Sequence, residues 1–228
     1  MTIRAVLFDL DNTLTHRDQS ILAYSQHLAS TYQHQLQHAE ISQIQSIIRR
    51  IDNGGYPKKA LLTHPSIAAS VAYALQQELK WKSLPDLDDL SQFWFQQFGL
   101  SAVAMLGANS LLADLKQQGY KLAVVSNGGH ATRLTILQGL GFSHYFDEIV
   151  SSELVGISKP NPEIFLHTSH QLDVEPQHCL FIGDHPVNDI QGATQAGMKA
   201  LLLRGFHDID SHQQMNTIQN LAEIKQYL

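Results

Sequence analysis

Five short apolar runs bounded by Gly, Asp, Asn or Ser constrain this chain most: Ala5 to Phe8, Leu122 to Val125, Glu148 to Val150, Cys179 to Ile182 and Ala200 to Leu203. Near-continuous apolarity over so few residues marks strands covered on both faces. Helical patterns such as Leu111 to Gln118 and Thr132 to Gly139 are interspersed with them, which fits parallel strands joined by helical crossovers. The expected fold class is α/β, a doubly wound parallel sheet.

The first and second runs are separated by about a hundred residues, far more than the roughly 10 to 12 that a crossover needs. That stretch must carry structure of its own. Ile41, Ile44, Ile48 and Ile51 recur at helical spacing, Asn53-Gly54-Gly55-Tyr56-Pro57 interrupts them, and Ile67, Val71, Leu75 and Leu79 resume the pattern. The expected organisation is a core from residues 1–14 and 100–228 with an all-helical insertion at 15–99. The many glutamines are spread over helical faces and form neither a repeat nor a low-complexity tract.

Chemistry-bearing residues collect where the runs end. The first ends in Phe8-Asp9-Leu10-Asp11-Asn12-Thr13-Leu14, which places two carboxylates at the carboxyl edge of the sheet, where open α/β folds bind ligands. Alone, this pattern is also an ordinary Asp- and Asn-rich turn. The second ends in Ser126-Asn127-Gly128-Gly129, offering a hydroxyl and backbone N–H groups to an anion, or simply a Gly-rich turn. After the third comes Ser158-Lys159-Pro160-Asn161-Pro162: Asn161 can cap a helix and Pro162 suits its first position, but Lys159 has no such explanation. The fourth ends in Gly183-Asp184-His185-Pro186-Val187-Asn188-Asp189, where the acids could merely cap and begin a helix. Four acids, a lysine and a hydroxyl at one sheet edge together point to a site.

Two unit charges about 4 Å apart repel by roughly 4 kcal/mol at an effective dielectric near 20, so these carboxylates cannot converge without a cation. An all-oxygen ligand set suits Mg2+, and no Cys and His cluster favours zinc.

In order and placement, Asp9, Asp11 and Thr13, then Ser126 and Asn127, then Lys159 and Pro160, then Gly183, Asp184 and Asp189 resemble the four motifs of the haloacid dehalogenase-like (HAD) hydrolases. The resemblance implies a Rossmann-like core and, from the insertion after the first motif, the branch with an alpha-helical C1-type cap. It further implies that Asp9 attacks phosphorus to form an aspartyl-phosphate, while Asp11 protonates the leaving oxygen and later activates water. Ser126 and Lys159 would hold the phosphoryl oxygens, with Asn127 supporting that grip. Asp9, Asp184 and the backbone carbonyl of Asp11 would bind Mg2+, and Asp189 would bind it or orient its waters. Thr13 would shape the turn. The branch that cleaves carbon–halogen bonds lacks the second acid of the first motif, so Asp11 favours phosphorus chemistry. The expected function is a magnesium-dependent phosphatase acting on a small phosphorylated metabolite. A phosphomutase of the same superfamily is the second reading, and a non-catalytic binding or regulatory protein that keeps the fold is the third.

Composition narrows the partners. Fifteen Lys and Arg against 21 Asp and Glu, with no basic stripe, argue against nucleic acid. No apolar run approaches the roughly 18 residues of a membrane span, there is no signal-peptide pattern, and one cysteine, Cys179, permits no internal disulfide. A cytoplasmic protein is expected. Of the 13 histidines, the pairs His34 with His38 and His167 with His170 lack a zinc-site pattern and read as surface residues. His185 stands apart because it adjoins Asp184. Lys58 and Lys59 read as a solvated helix start, Cys179 as a small core residue, and Phe93, Trp94, Phe95 and Phe98 as packing between insertion and core. The motifs carry no information on the leaving group or the oligomeric state.

Overall fold

Each of the five apolar runs forms a strand in the computed structural model, which describes residues 2–38, 40–207 and 215–228. They are β1 (Ala5–Phe8), β2 (Lys121–Ser126), β3 (Glu148–Ser151), β4 (Cys179–Gly183) and β5 (Lys199–Leu203). A sixth, β6 (Thr217–Ile218), was not anticipated, because two residues carry no periodicity. All neighbours are parallel, in the order β3-β2-β1-β4-β5-β6.

Nine α-helices are assigned among the described residues: α1 (Arg17–Thr31), α2 (Ile41–Asp52), α3 (Ile67–Glu78), α4 (Leu87–Gln97), α5 (Ala108–Gln117), α6 (His130–Leu140), α7 (Ser152–Val155), α8 (Pro162–Gln171) and α9 (Gly192–Gln195). The alternation of side chains along β1 sends Val6 and Phe8 to one face and Ala5 and Leu7 to the other. On the first face they join Leu111, Leu112 and Leu115 of α5 and Ile136 and Leu137 of α6. On the second they join Ile164 and Phe165 of α8 and Ala193 of α9. Asn161 caps α8, its Oδ1 accepting from Glu163 N at 3.0 Å, and Pro162 occupies the first turn.

Helices α1 to α4 gather around a separate apolar core that includes Ile44, Ile48, Val71, Leu75 and Trp94, with Tyr24 at its centre. The chain segments entering and leaving this helical layer lie side by side. His16 N donates to Val103 O at 2.8 Å, and Met105 N donates to Leu14 O at 2.8 Å. No described helix is long and apolar enough to cross a membrane.

Candidate active site

The chain runs from β1 outward through β2 and β3, then returns to place β4 on the other side of β1. Ligands in open parallel sheets bind beyond the carboxyl ends of the strands at such a switch point. Asp9 leaves β1 there, with its N–H donating to Ile182 O at 2.8 Å, and Asp184 leaves β4 beside it. Asp9, Asp184 and Asp189 are all buried, and one carboxylate oxygen from each lies within 4.8 Å of the others. A Cβ on Gly183 would come within 2.4 Å of Asp189 Cγ, so the missing side chain leaves room for this third acid.

Lys159 joins the trio. Its Nζ donates to Asp9 Oδ1 at 2.5 Å and to Asp189 Oδ1 at 2.6 Å. Asn127 secures the backbone behind it: Oδ1 accepts from Lys159 N at 2.8 Å and Nδ2 donates to Lys159 O at 3.0 Å. The amide of Asn127 therefore positions the lysine loop. Asp189 Oδ2 accepts from His185 N at 2.9 Å, so both of its oxygens hold protein donors.

Asp11 stands outside this trio. Its Oδ1 accepts from Arg17 Nη1 at 2.6 Å, and its Oδ2 lies 3.3 Å from Arg133 Nη1. Asn12, with φ +57°, carries the turn, a conformation Asn tolerates better than most residues. Thr13 lies inside the same turn, where Leu10 O accepts backbone N–H groups from Thr13, Leu14 and Thr15. Arg17 is fixed from the helical layer, its Nε and Nη2 donating to Asp52 at 2.8 and 2.6 Å. Its guanidinium sits over Phe98, 5.1 Å from the ring centre.

A recess of about 30 Å3 is lined by Asp9, Asp11, Tyr56, Ser126, Arg133 and Lys159, among others. Asp11, Gly55, Asn127 and Arg133 also border a larger cleft of about 340 Å3, whose far wall includes Ser66, Trp94, Phe95 and Phe98 of the helical layer. Trp94 and Phe98 stack with centroids 4.2 Å apart within the helical core, whereas Phe95 is exposed at the cleft.

Burial pushes the Asp9 carboxyl up to about 7, with Lys159 opposing the shift and Asp189 and Asp11 adding to it. Asp184 and Asp189 are likewise raised, chiefly by burial. Burial also acts upward on Asp11, but Arg17 and Arg133 outweigh it and hold that carboxyl below its usual range. Lys159 goes up despite burial because Asp189 and Asp9 stabilise its charged form.

Asp9 Oδ2 and both oxygens of Asp184 are buried without a hydrogen-bond partner among the described residues. Buried polar atoms are ordinarily paired, and three acids sharing one ammonium, with only His207 Nε2 besides at 3.2 Å from Asp184 Oδ2, leave negative charge uncompensated. The donor set fits a metal ion. Lys58 and Lys59 are exposed and so keep to the solvated reading. His167 and His170 are exposed on α8, and His34 and His38 are exposed beyond the end of α1.

Reasoning from sequence missed Arg17, Asp52, Tyr56, Arg133 and His207. Tyr56 lies in the Gly-rich interruption of the helical pattern, and its ring packs 5.1 Å from His185 and 5.2 Å from His207. Burial, followed by the neighbouring carboxylates, raises its hydroxyl pKa. The strand-end rule that located the acids would have located His207, which lies just beyond β5 at the same edge. The three other charged residues had no comparable signal.

A parallel α/β sheet with buried acids gathered at its switch point defines the class: an α/β protein with a carboxylate centre under a helical layer. The family model described as haloacid dehalogenase-like hydrolase matches residues 3–197, and the chain belongs to that family. It is 43% identical over 94 residues to a glyceraldehyde 3-phosphate phosphatase of Methanothermobacter thermautotrophicus, covering 41% of this chain and 42% of that protein. It is 39% identical over 105 residues to haloacid dehalogenase-like hydrolase domain-containing protein 3 of Mus musculus, covering 46% of this chain and 41% of that protein. A phosphoglycolate phosphatase of Nitrosococcus oceani is 32% identical over 126 residues, covering 54% and 56%. The chain thus spans about two fifths to just over half of these relatives' length. Among solved structures, the HAD-hydrolase YfnB of Bacillus subtilis bound to magnesium superposes with a TM-score of 0.71 at 22% identity, covering 100% of this chain and 99% of that one. A HAD phosphatase from Thermococcus onnurineus gives a TM-score of 0.62 at 22% identity, covering 99% and 97%. These structural likenesses concern the fold.

Proposed function

We propose that this chain is a phosphatase that hydrolyses a small phosphate monoester through an aspartyl-phosphate on Asp9. The observation that carries the reading is the unpaired, buried Asp9 Oδ2 beside a recess that Ser126, Lys159 and Arg133 also line. An acid so placed can act as nucleophile, while the hydroxyl and the cations around it can take the three phosphoryl oxygens. Lys159 orients the Asp9 carboxylate through Oδ1, so that one oxygen can attack phosphorus while the other meets the cation. Attack forms a bond from an Asp9 carboxylate oxygen to phosphorus and breaks the bond from phosphorus to the leaving oxygen.

Asp11 supplies the proton for that oxygen and then takes one from the attacking water, which releases phosphate and restores Asp9. In the present arrangement Arg17 and Arg133 hold Asp11 as a carboxylate, the form needed for the second half of the cycle. Asp9 and Asp184, with the Asp11 carbonyl, would hold Mg2+, and Asp189 would bind it or orient its waters. Bound there, the ion would neutralise charge between carboxylates and phosphate.

The helical segment 15–99 acts in this reading as a C1-type cap. It roofs the cleft, takes the leaving group between Phe95 and Arg133, and keeps water from the intermediate. Relatives named for glyceraldehyde 3-phosphate, phosphoglycolate and phosphoserine support a small phosphorylated metabolite as substrate. The lone buried thiol of Cys179 fits a reducing, cytoplasmic setting.

The test is phosphate release from a generic aryl phosphate in Mg2+. Asp9→Asn should lower turnover by on the order of 10^4-fold or more, and chelation should abolish it reversibly. Undiminished turnover in Asp9→Asn defeats the mechanism. Transfer to a sugar phosphate with little free orthophosphate would instead mark a phosphomutase.

A further inference from the structure

Two arginines face Asp11, and they differ in what else holds them. Arg17 gives Nη1 to Asp11 and the rest of its fork to Asp52, a carboxylate of its own. Arg133 has no such carboxylate among the described residues. Its Nη2 donates to the carbonyl of Asn127, its Nη1 lies 3.3 Å from Asp11 Oδ2, and its Nε is buried without a hydrogen-bond partner. Two guanidiniums thus share the carboxylate of Asp11, and Arg17 holds it more closely, at 2.6 Å. A guanidinium offers five donors in a fixed fork, and Arg133 has donors left for an anion.

The loop after β2 puts Arg133 in this position. It stands in the first turn of α6, where Arg133 N donates to Gly129 O at 3.2 Å. Its guanidinium folds back over Gly128, where a Cβ would come within 3.0 Å of Arg133 Cζ. Glu153, the other acid at this turn, is engaged by His130 N at 2.8 Å. Arg133 and Asp11 border both the recess beside Asp9 and the cleft of about 340 Å3 beyond it. A monoester held at Asp9 would therefore present its leaving oxygen to Asp11 and lead its first carbons past Arg133. Ile67, Ala68, Trp94 and Phe95, across the cleft, carry no charge.

We propose that Arg133 recognises a carboxylate on the leaving group, carried on the first or second carbon from the ester oxygen, so that the substrates are small phosphorylated hydroxy acids. The proposal rests on the phosphatase reading above and names its substrate class. A carboxylate matches the planar fork of a guanidinium and brings the one negative charge that a single arginine offsets. A neutral leaving group would leave the buried donor unpaired, and a cationic one would be repelled.

The experiment compares kcat/KM of the purified full chain in Mg2+ for phosphoglycolate, ethyl phosphate and ethanolamine phosphate, whose leaving groups are anionic, neutral and cationic. The wild type should favour phosphoglycolate over ethyl phosphate by about tenfold or more, with ethanolamine phosphate the poorest. Arg133→Gln should slow every ester, because Arg133 also adjoins Asp11, but the preference for phosphoglycolate should itself shrink by about tenfold. A ratio of two esters on one protein cancels any general loss of structure or of Asp11 placement. Arg133→Lys, which keeps the charge and loses the fork, should fall between the two, and it decides the matter if Arg133→Gln does not fold. An unchanged ratio in folded Arg133→Gln overturns the role of Arg133, and a wild type without preference overturns the carboxylate. Both results leave the phosphatase reading standing, as does release of phosphate from an aryl ester but from none of the three. Release from no ester at all overturns both readings.

Discussion

Arg17 Nη1 donates to Asp11 Oδ1 at 2.6 Å, which ties the first helix of the helical layer to the acid that follows β1. The rest of the guanidinium is committed to Asp52, a fully buried residue at the end of α2. Asp11, the helix that starts six residues on and the end of α2, 35 residues beyond Arg17, therefore share one charge network, and the geometry of Asp11 depends on a residue that never meets the recess.

Asp52→Asn should expose that dependence. The substitution removes the charge that compensates a buried arginine, and breaking such a pair costs about 3 kcal/mol or more. Urea denaturation should report the loss, and kcat should fall with Asp11 misplaced. An Asp52→Asn protein as stable and active as the wild type would mean that the network is incidental.

Lys159→Met tests the other buried network. Asp9 and Asp189 would lose the ammonium they share, at a cost of about 3 to 5 kcal/mol for an uncompensated buried charge. The destabilisation should be larger at pH 8 than at pH 5, because protonated acids need no counter-charge. Saturating divalent cation should recover part of it. A loss independent of pH would contradict this account.

Divalent cation affinity should rise with pH. The Asp9 carboxyl is raised from its ordinary value of 3.8 to about 7, so the cation-free folded state binds this proton more tightly than the unfolded chain. Its contribution to stability is complete below about pH 4 and is lost as pH rises through about 7. A cation needs the ionised form and competes with the proton, so it gains affinity over that same interval. Calorimetry at pH 5, 6, 7 and 8 with Mg2+ should show affinity climbing and levelling above about 7, and a flat profile would remove Asp9 from the ligand set.

Phe95→Ala should separate the cleft from the core. Its side chain is 53% exposed, so stability should change by no more than about 0.5 kcal/mol. If the leaving group rests against this wall, KM should rise severalfold with kcat nearly constant, the pattern of lost uniform binding. Steady-state kinetics across a panel of phosphorylated metabolites would identify the substrates whose KM responds.

Much of this was legible in the residues themselves. The expected span of β1 matches the strand as formed, and the other four match within a residue or so at their ends, because a buried parallel strand must be apolar along its whole length. Asp9 and Asp184 could be read because they follow those runs directly, and Lys159 and Asp189 because they stand a short way beyond them, since parallel strands bring all their carboxyl ends to one edge. The expectation that Asn127 helps grip the phosphate sees only part of its position. Its amide is spent on the backbone of Lys159, a pairing across 32 residues that no local pattern encodes.

By itself the amino-acid order determined the strands, the helical stretch after the first of them, and the gathering of Asp9, Asp11, Ser126, Lys159, Asp184 and Asp189 at one sheet edge. These follow from periodicity and chain direction, which are local properties. Only the tertiary structure decided that Asp11 is clasped by Arg17 and Arg133, that Tyr56 reaches the histidines beside Asp184, and that His207 Nε2 lies 3.2 Å from that acid. Each joins side chains from elements whose mutual placement is set by packing across separate cores, and short-range order holds no record of that packing.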